Sequence, residues 1–428
     1  MTASNAEPSA IAAPSRSGLV AWTPFYYGWV NVFAAALMML ATLPGRTQGL
    51  GLITEPLLAD LKLERTTFAQ INLWATLIGA LFCLPVGRWL DRSGARLVLV
   101  VLVFGLGAVV LGISRVETTL MLFLLITATR AIGQSALSVA SIALVGKWFQ
   151  RRISIAMGVY AMLVGFMFVV AFGLVGYAVQ VQGWRTAWGE IGIVLLAGFA
   201  PAAWLLVRST PESIGVQPDD ASTVEATPEG LTLSESLRTP AFWIFALATS
   251  IYGLVYSGFG LFNQSIVEQL GFTAEDYHKT LIIATFVGLA TQLVGGWLGW
   301  KWSLRGLMML AMGLYGASLL WLPSVTGRSE LFSNAVLMGA AGGMVTVVFF
   351  AIWPELFGRR HLGLIQGAAQ LLTVLASAVG PLLFAECFAR TASYNAMFYA
   401  LAPAVLILGL AAWFVPRPMQ TASNSVQE

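Results

Sequence analysis

The sequence predicts an all-α membrane protein with twelve transmembrane helices arranged in two six-helix bundles. Of its 428 residues, 58% are hydrophobic and only 10% are charged, whereas a soluble protein carries roughly 25% charged residues. Mean hydropathy is +0.79. Twelve apolar stretches follow one another, each about long enough to cross ~30 Å of hydrocarbon as a helix. A repeated pattern then relates the first six stretches to the last six.

The apolar stretches divide the chain into two halves around a polar segment. The first six cover residues 26–48, 67–90, 95–114, 119–145, 154–180 and 186–207. The second six cover residues 241–267, 277–299, 304–323, 331–354, 362–386 and 394–415. We therefore expect a disordered tail, two bundles joined by a linker, and a short second tail, with boundaries at 1–24, 25–207, 208–240, 241–416 and 417–428.

Short motifs recur between the halves at one shared offset of 208 residues. The matched pairs are Gly87 with Gly295, Trp89-Leu90 with Trp297-Leu298, and Phe149 and Arg151-Arg152 with Phe357 and Arg359-Arg360. One offset at two separated places indicates a duplicated unit. Parallel repeats of this kind hold substrate between the two copies near the middle of the membrane.

The basic residues indicate the orientation of the chain. Lys and Arg are roughly twice as numerous on the face that carries both termini and the linker as on the other face, and the richer face is expected to be cytoplasmic. The sequence therefore predicts a multi-pass protein of the plasma membrane (the inner membrane of a bacterium) with both termini in the cytoplasm. We expect a monomer.

A charged turn, residues 87–96, lies between the second and third spans. Its arginines are costly in hydrocarbon, so the turn must lie at a membrane face. The turn has the form Gly-x-x-x-Asp-Arg-x-Gly-x-Arg and resembles the signature loop of the major facilitator superfamily. The resemblance implies that Asp91 closes an inner gate against the start of helix 11. Six residues are accordingly predicted to act in gating: Gly87, Asp91, Arg92, Arg96, Arg151 and Arg152.

Other short motifs narrow the resemblance. They are Tyr27-Gly28-Trp29, residues 148–152 with Ala156-Met157-Gly158, Gly183-Trp184-Arg185, residues 239–243 and residues 357–363. Together they are similar to the oxalate:formate antiporter and monocarboxylate transporter branch. The resemblance implies a secondary active or facilitative transporter that moves a small solute, such as an organic anion, by alternating access.

Two arginines inside spans are candidate binding residues, because ionisable groups within a membrane are rare and commonly functional. Arg46 follows Pro44-Gly45 in the first span, and Arg130 lies in the middle of the fourth. Each guanidinium offers a planar fork of donors to a carboxylate. The alternative for Arg46 is snorkelling to the outer interface. The alternative for Arg130 is a structural pairing within the first bundle.

Uncharged polar residues complete the predicted binding set. Helices 1, 4, 7 and 10 line the cavity in the family that the chain resembles, which favours Gln48, Gln134, Asn263 and Gln264. Tyr256 shares a helix face with Tyr252, four residues earlier. For any one of these residues the alternative is an interhelical hydrogen bond, or aromatic packing for the tyrosines.

The resemblance to monocarboxylate transporters also implies that Arg46 is the anion-binding cation of helix 1. In that family helix 8 carries an aspartate and an arginine, which align here with Gly288 and Gln292. Both charges are absent, which argues against proton coupling by that route. A monovalent organic anion is therefore expected, with Gln292 as a polar neighbour. A neutral or partly apolar solute is the alternative.

Other classes of function find little support in the sequence. There is no Gly-x-x-x-x-Gly-Lys-Ser/Thr phosphate loop for ATP, and His278 and His361 are the only histidines. A small net charge of +3 gives no indication of nucleic-acid binding. We expect no enzyme activity, no metal and no cofactor. A transporter-like receptor, which binds a solute without carrying it, is the rival from another class.

Overall fold

A computed structural model describes residues 25–216 and 230–416 of the protein. The expected tails, 1–24 and 417–428, and the middle of the expected linker, 217–229, lie outside the described residues. Within the described ranges the chain is helical almost throughout.

The first half forms six membrane-crossing segments, labelled α1 to α6. Three of them are interrupted, and each is given with all of its stretches. They are α1 (Gly28–Leu40), α2 (Arg65–Ala80 and Cys83–Ser93), α3 (Ala95–Ile113), α4 (Thr119–Thr129, a π-helical Arg130–Leu137, and Ser138–Trp148), α5 (Ile153–Gln182) and α6 (Trp184–Val194, a π-helical Leu195–Phe199, and Ala200–Leu206).

The second half forms six uninterrupted helices, labelled α7 to α12. They are α7 (Pro240–Gln269), α8 (Ala274–Lys301), α9 (Leu304–Trp321), α10 (Arg328–Phe357), α11 (Leu362–Thr391) and α12 (Asn395–Phe414). Between the halves, the described linker residues include a short helix, Leu233–Leu237, which begins with a capping box formed by Thr232 and Glu235.

Eleven helices in the described ranges are long and apolar enough to cross a membrane, and α1 is a shorter apolar helix. Large apolar side chains on several helices, such as Phe104, Phe166 and Phe286, are well exposed. Such surfaces are stable when they face lipid rather than water. The expected twelve-helix membrane architecture is confirmed.

The first span is interrupted, whereas the sequence predicts one continuous helix over residues 26–48. Helix α1 ends at Leu40 and is followed by a single 3-10 turn, Leu43–Gly45, an extended residue at Arg46, and short helices Thr47–Gly51 and Thr54–Leu61. Pro44 begins the irregular part because its ring removes a backbone donor that a continuous helix requires. We call residues 41–46, which follow α1, the break in α1. The break places Arg46 between helical pieces rather than along a helix.

The break in α1 packs on the π-helical turn of α4. A Cβ atom on Gly45 would lie 2.5 Å from the carbonyl oxygen of Thr129 and 3.2 Å from the Cα atom of Gly133. Two glycines thus let the two irregular backbones touch. Single π-helical turns within α-helices, such as this one, occur frequently at functional sites.

The two halves meet at the membrane face that carries Ser93, Trp148, Pro240 and Phe357, here called the terminal face. A Cβ atom on Gly87 of α2 would lie 2.3 Å from the carbonyl oxygen of Gly363 in α11. On the other side of the molecule, a Cβ atom on Gly158 of α5 would lie 3.0 Å from the Cα atom of Gly296 in α8. Because glycine has no side chain, α2 approaches α11 and α5 approaches α8 closely at this face. We call these two contacts the glycine crossings.

Candidate functional site

The break in α1 holds the Arg46 side chain in the interior of the first bundle, against α4 and α5. Its Nε donates to Thr42 Oγ1 at 2.7 Å, and Nη2 lies 3.4 Å from Ser138 Oγ of α4. The guanidinium carbon lies 5.1 Å from the ring centroid of Phe168 on α5, a cation–π contact. Arg46 is therefore fixed by neutral groups of α1, α4 and α5.

Arg130 is buried, with 1% of its surface exposed. Its Nη1 donates to the carbonyl oxygen of Gly45 at 2.8 Å and to Gln134 Oε1 at 2.7 Å. Its Nη2 donates to Asn72 Oδ1 of α2. Arg130 thus joins α2 and α4 to the residue that precedes Arg46.

Within residues 25–216 and 230–416, neither arginine forms an ion pair with a carboxylate. A buried charge is normally paired, because its desolvation costs far more than neutral hydrogen bonds return. Two neighbouring guanidinium groups that are satisfied by neutral partners leave this part of the first bundle positive. An anion would complete the site.

A cavity of about 450 Å³ lies mainly within the second bundle, among α7, α8, α9 and α10. It reaches the first bundle at Gly165 of α5. Its described lining residues carry no formal charge and combine aromatic rings with amides and hydroxyls, among them Tyr252, Tyr256, Tyr315, Asn263, Asn334 and Gln292. The cavity suits an apolar or aromatic body with a few polar contacts.

The cavity and Arg46 are neighbours through α5. A Cβ atom on Gly165 would lie 3.8 Å from Gln292 Oε1 across the bundle interface. Phe168 follows Gly165 by three residues, so both lie on one face of α5 within about 5 Å of helix rise. Arg46 contacts Phe168 and therefore lies about one turn of α5 from Gly165, where the cavity reaches the first bundle.

The structure separates the eight predicted binding residues into three groups. Tyr256, Asn263 and Gln292 line the cavity, whereas Arg46, Arg130 and Gln134 form the positive cluster next to it. Gln48 and Gln264 are exposed and do not line the cavity, and Gln264 donates to Glu268 on its own helix. Tyr315 was not among the predicted residues, because in a sequence its aromatic ring looks like any packing residue.

Asp91 lies at the bundle interface on the terminal face. Its carboxylate accepts from the backbone amides of Gly363 and Leu364, each at 3.1 Å, in the first turn of α11. Lys147 at the end of α4 donates to the same carboxylate at 2.9 Å. A carboxylate at a helix N-terminus is stabilised by the free amides and the helix dipole. Asp91 therefore links the first bundle to the second.

Lys147 and Arg359 belong to this linkage, although neither was predicted as a gating residue. Arg359 is buried and donates to the carbonyl oxygen of Lys147 at 2.7 Å and to Glu212 Oε1 at 3.0 Å. Their positions at the ends of predicted spans were visible in the sequence. Their partners were not visible, because the contacts join residues more than fifty positions apart.

The other predicted gating residues occupy different places. Arg92, Arg151 and Arg152 are exposed at the terminal face. Arg96 donates to the carbonyl oxygen of Trp204 at 2.8 Å and stacks on that indole ring, so it joins α3 to α6 inside the first bundle. Gly87 makes the close α2–α11 approach described above.

Comparison with known proteins agrees with this architecture. Monocarboxylate transporter 13 of Rattus norvegicus is 25% identical over 271 residues, which cover 63% of this chain and 61% of that protein. The crystal structure of the human organic anion transporter MFSD10 (TETRAN) covers 92% of this chain and 99% of its own, with a TM-score of 0.65 and 16% identity. At that identity the likeness concerns the fold.

A family model for the Major Facilitator Superfamily matches residues 29–290 and, in a second match, residues 245–428. The two matches together cover nearly the whole chain. The protein therefore belongs to the major facilitator superfamily and is an integral multi-pass membrane protein.

Proposed function

We propose that the protein moves a small organic anion, such as a monocarboxylate, by alternating access. In this proposal it lies in the plasma membrane with both termini in the cytoplasm, so the terminal face is the cytoplasmic one. The name of the rat relative and that of the human structure both concern carboxylates or organic anions. These names support the anion class, and the site of this chain supports it independently.

The observation that carries the proposal is the unpaired positive charge of Arg46 beside the cavity. Its described partners are neutral, namely two hydroxyls, a thioether and a ring: Thr42, Ser138, Met39 and Phe168. A carboxylate that approaches from the cavity would exchange these weak partners for a charge-assisted hydrogen bond. Arg130 adds positive potential behind Arg46 without giving up its own three partners.

The closed terminal face supports a transport cycle in which this conformation opens toward the opposite face. Asp91 and the glycine crossings hold the two bundles together on the terminal side. Substrate would enter from the opposite side and reach Arg46 and the cavity. Release would require the Asp91 contacts with α11 to break as the bundles rock about the site.

The lining of the cavity also bears on coupling. No carboxylate lines it in the part of the chain that the structure describes. A carrier that couples to protons through its site needs a group that titrates there. The proposed transport is therefore exchange of one anion for another, or movement down a gradient.

Ligand binding by Arg46→Gln protein tests the proposal. The substitution removes the charge and keeps a hydrogen-bonding side chain, so affinity should fall for anions only. A charge-assisted hydrogen bond contributes about 1.5–3 kcal/mol, which predicts a loss of about ten- to hundredfold. Arg46→Lys should lose less, and Arg115→Gln, at an exposed arginine on the opposite face, should bind normally.

Isothermal titration of purified protein with monocarboxylates and their neutral amides would measure these affinities. Unchanged anion affinity in folded Arg46→Gln protein would contradict the proposed role of Arg46.

A neutral, partly apolar solute is the second candidate, and the uncharged lining of the cavity favours it. In that case Arg46 would have a structural role. The same titration separates the two candidates: neutral amides would bind as tightly as the acids, and Arg46→Gln would leave both affinities unchanged.

A further inference from the structure

The size of the cavity exceeds the needs of a two- or three-carbon acid. Its volume is about 450 Å³, whereas one water molecule occupies about 30 Å³ of liquid. Pockets of about 300–1,000 Å³ enclose drug-sized ligands. Acetate, lactate or oxalate would leave most of the space to water.

Aromatic rings form one side of the cavity. Tyr252 and Tyr256, one turn apart on α7, have nearly parallel rings with centroids 5.7 Å apart. The ring of Tyr315 on α9 lies 5.0 Å from that of Tyr252. The Tyr252 hydroxyl reaches α10, where a Cβ atom on Gly342 would lie 2.7 Å from it. The three rings give the cavity an aromatic wall on the α7 and α9 side.

Two buried polar atoms of the cavity have no hydrogen-bond partner among the described residues. They are the hydroxyl of Tyr315, a residue that is 1% exposed, and Oε1 of Gln292. Buried polar groups are normally hydrogen-bonded, and each orphan costs about 1–3 kcal/mol. Tyr315 is a residue of α9 inside the second bundle, and Gln292 lies next to α5. The two atoms therefore belong to different parts of the cavity lining.

From these observations, and resting on the proposed function, we propose that the substrate is an amphipathic aromatic monocarboxylate with a polar group at its far end. Its carboxylate binds Arg46 near Gln292, and its flat body lies against Tyr252 and Tyr256. Its distal hydroxyl, or an equivalent group, exchanges a hydrogen bond with Tyr315. A ligand of this shape fills the cavity, gives the Tyr315 hydroxyl a hydrogen-bond partner and pairs the charge of Arg46.

Uptake into liposomes containing the purified full-length protein tests this substrate class. The probes are 4-hydroxyphenylacetate, phenylacetate, lactate and oxalate, with 4-hydroxybenzyl alcohol as the neutral analogue. We expect 4-hydroxyphenylacetate to have the highest kcat/KM, about tenfold above phenylacetate because of one hydrogen bond to a buried partner. Lactate and oxalate should be slower than either aromatic acid.

Tyr315→Phe removes one hydroxyl and leaves the ring in place. It should lower kcat/KM for 4-hydroxyphenylacetate about tenfold and so abolish its preference over phenylacetate, for which the loss should be much smaller. The matched control is Tyr177→Phe, which removes a hydroxyl from an exposed tyrosine of α5 outside the cavity. An equal loss for both aromatic acids in Tyr315→Phe would overturn the contact between Tyr315 and the distal group.

The panel separates failure of this inference from failure of the proposed function. Transport of lactate or oxalate without transport of the aromatic acids would overturn the aromatic class and leave the anion proposal standing. Transport of the neutral alcohol alone, or of none of the five probes, would overturn both.

Discussion

At the scale of single residues, the two membrane arginines have different surroundings and therefore different expected roles. Arg130 is buried and uses both terminal nitrogens on protein acceptors. Arg46 has only weak partners and lies beside the cavity. We therefore interpret Arg130 as the residue that holds the α1 break in place and Arg46 as the residue that meets the substrate.

Asn72→Leu tests the role of Arg130 in stability. The substitution removes the acceptor for Arg130 Nη2, which leaves a charged donor unpaired in a buried place. We expect the free energy of unfolding to fall by about 1.5–3 kcal/mol, the contribution of a hydrogen bond to a charged group. Thermal unfolding of the purified protein in detergent measures the change.

Thr76→Val is the matched control for this prediction. Thr76 lies one turn later on α2, and its hydroxyl donates only to the carbonyl oxygen of Asn72 in the same helix. An equal loss of stability in both variants would show that Arg130 does not depend on Asn72.

The sequence identified both arginines as candidates, because charged groups inside apolar spans stand out. It could not separate their roles. The separation depends on the break after Leu40 and on the π-helical turn of α4, which together bring Gly45 to Arg130. The break at Pro44 was not predicted, since the first span was expected to run on to residue 48, and the extra residue in α4 follows from packing between distant segments and has no signal of its own.

At the scale of helices, we propose that the contact between Asp91 and α11 acts as a latch between the bundles. Asp91→Asn removes the charge that Lys147 and the α11 dipole stabilise, while the side chain keeps one acceptor. A loss of about 1.5 kcal/mol or more would shift the balance between closed and open terminal faces by about tenfold. Transport should fall strongly while substrate binding survives.

Hydrogen exchange of the Gly363 and Leu364 amides measures the opening of this latch directly. Both amides should exchange about tenfold faster in Asp91→Asn than in the native protein, in line with the expected shift. Arg88→Gln, at an exposed residue of the same turn, should leave their exchange rates unchanged. Native exchange rates in Asp91→Asn would show that other contacts hold this face closed.

The glycine crossing between α2 and α11 provides an independent test at the same scale. In Gly87→Ala the new Cβ atom would lie 2.3 Å from the carbonyl oxygen of Gly363, so the helices must separate. At the repeat-equivalent position, Gly295→Ala meets its nearest atom at 3.6 Å, an ordinary contact. We expect Gly87→Ala to destabilise the protein by about 1–3 kcal/mol, the range for overpacking, and to slow transport.

Parallel measurement of thermal unfolding and liposome uptake in the two alanine variants checks this prediction. Gly295→Ala should resemble the native protein in both assays. Equal behaviour of the two variants would contradict a close crossing at Gly87.

The helices illustrate what a sequence can and cannot predict about this fold. Apolar length predicted every crossing, and the 208-residue offset predicted that Gly87 corresponds to Gly295 and that Phe149–Arg152 corresponds to Phe357–Arg360. The motif around Asp91 implied its contact with α11. Arg151 and Arg359 are equivalent in the repeat, yet Arg151 is exposed and Arg359 is buried against Lys147 and Glu212. The repeat alone could not show that difference, because it arises from the linker residue Glu212.

At the scale of the whole molecule, the bundles touch closely at the terminal face in α2–α11 and α5–α8. A carrier with this arrangement must close its opposite face when it opens the terminal one. Two exposed positions on that opposite face are residue 117, in the α3–α4 connection, and residue 329, in the first turn of α10. Spin labels at these positions should therefore move closer together when transported anion is added. Pulsed electron–electron double resonance measures the distance between the two labels. In Arg46→Gln protein this distance should not change when the anion is added.

The central claim is that the protein carries an anion across the membrane by exposing one site to each side in turn. Counterflow tests it most directly: liposomes loaded with unlabelled 4-hydroxyphenylacetate are diluted into a trace of labelled compound. An alternating-access carrier predicts a transient accumulation of label inside, absent from Arg46→Gln liposomes. Binding of the labelled compound without accumulation would contradict the claim and would favour a receptor that binds solute without carrying it.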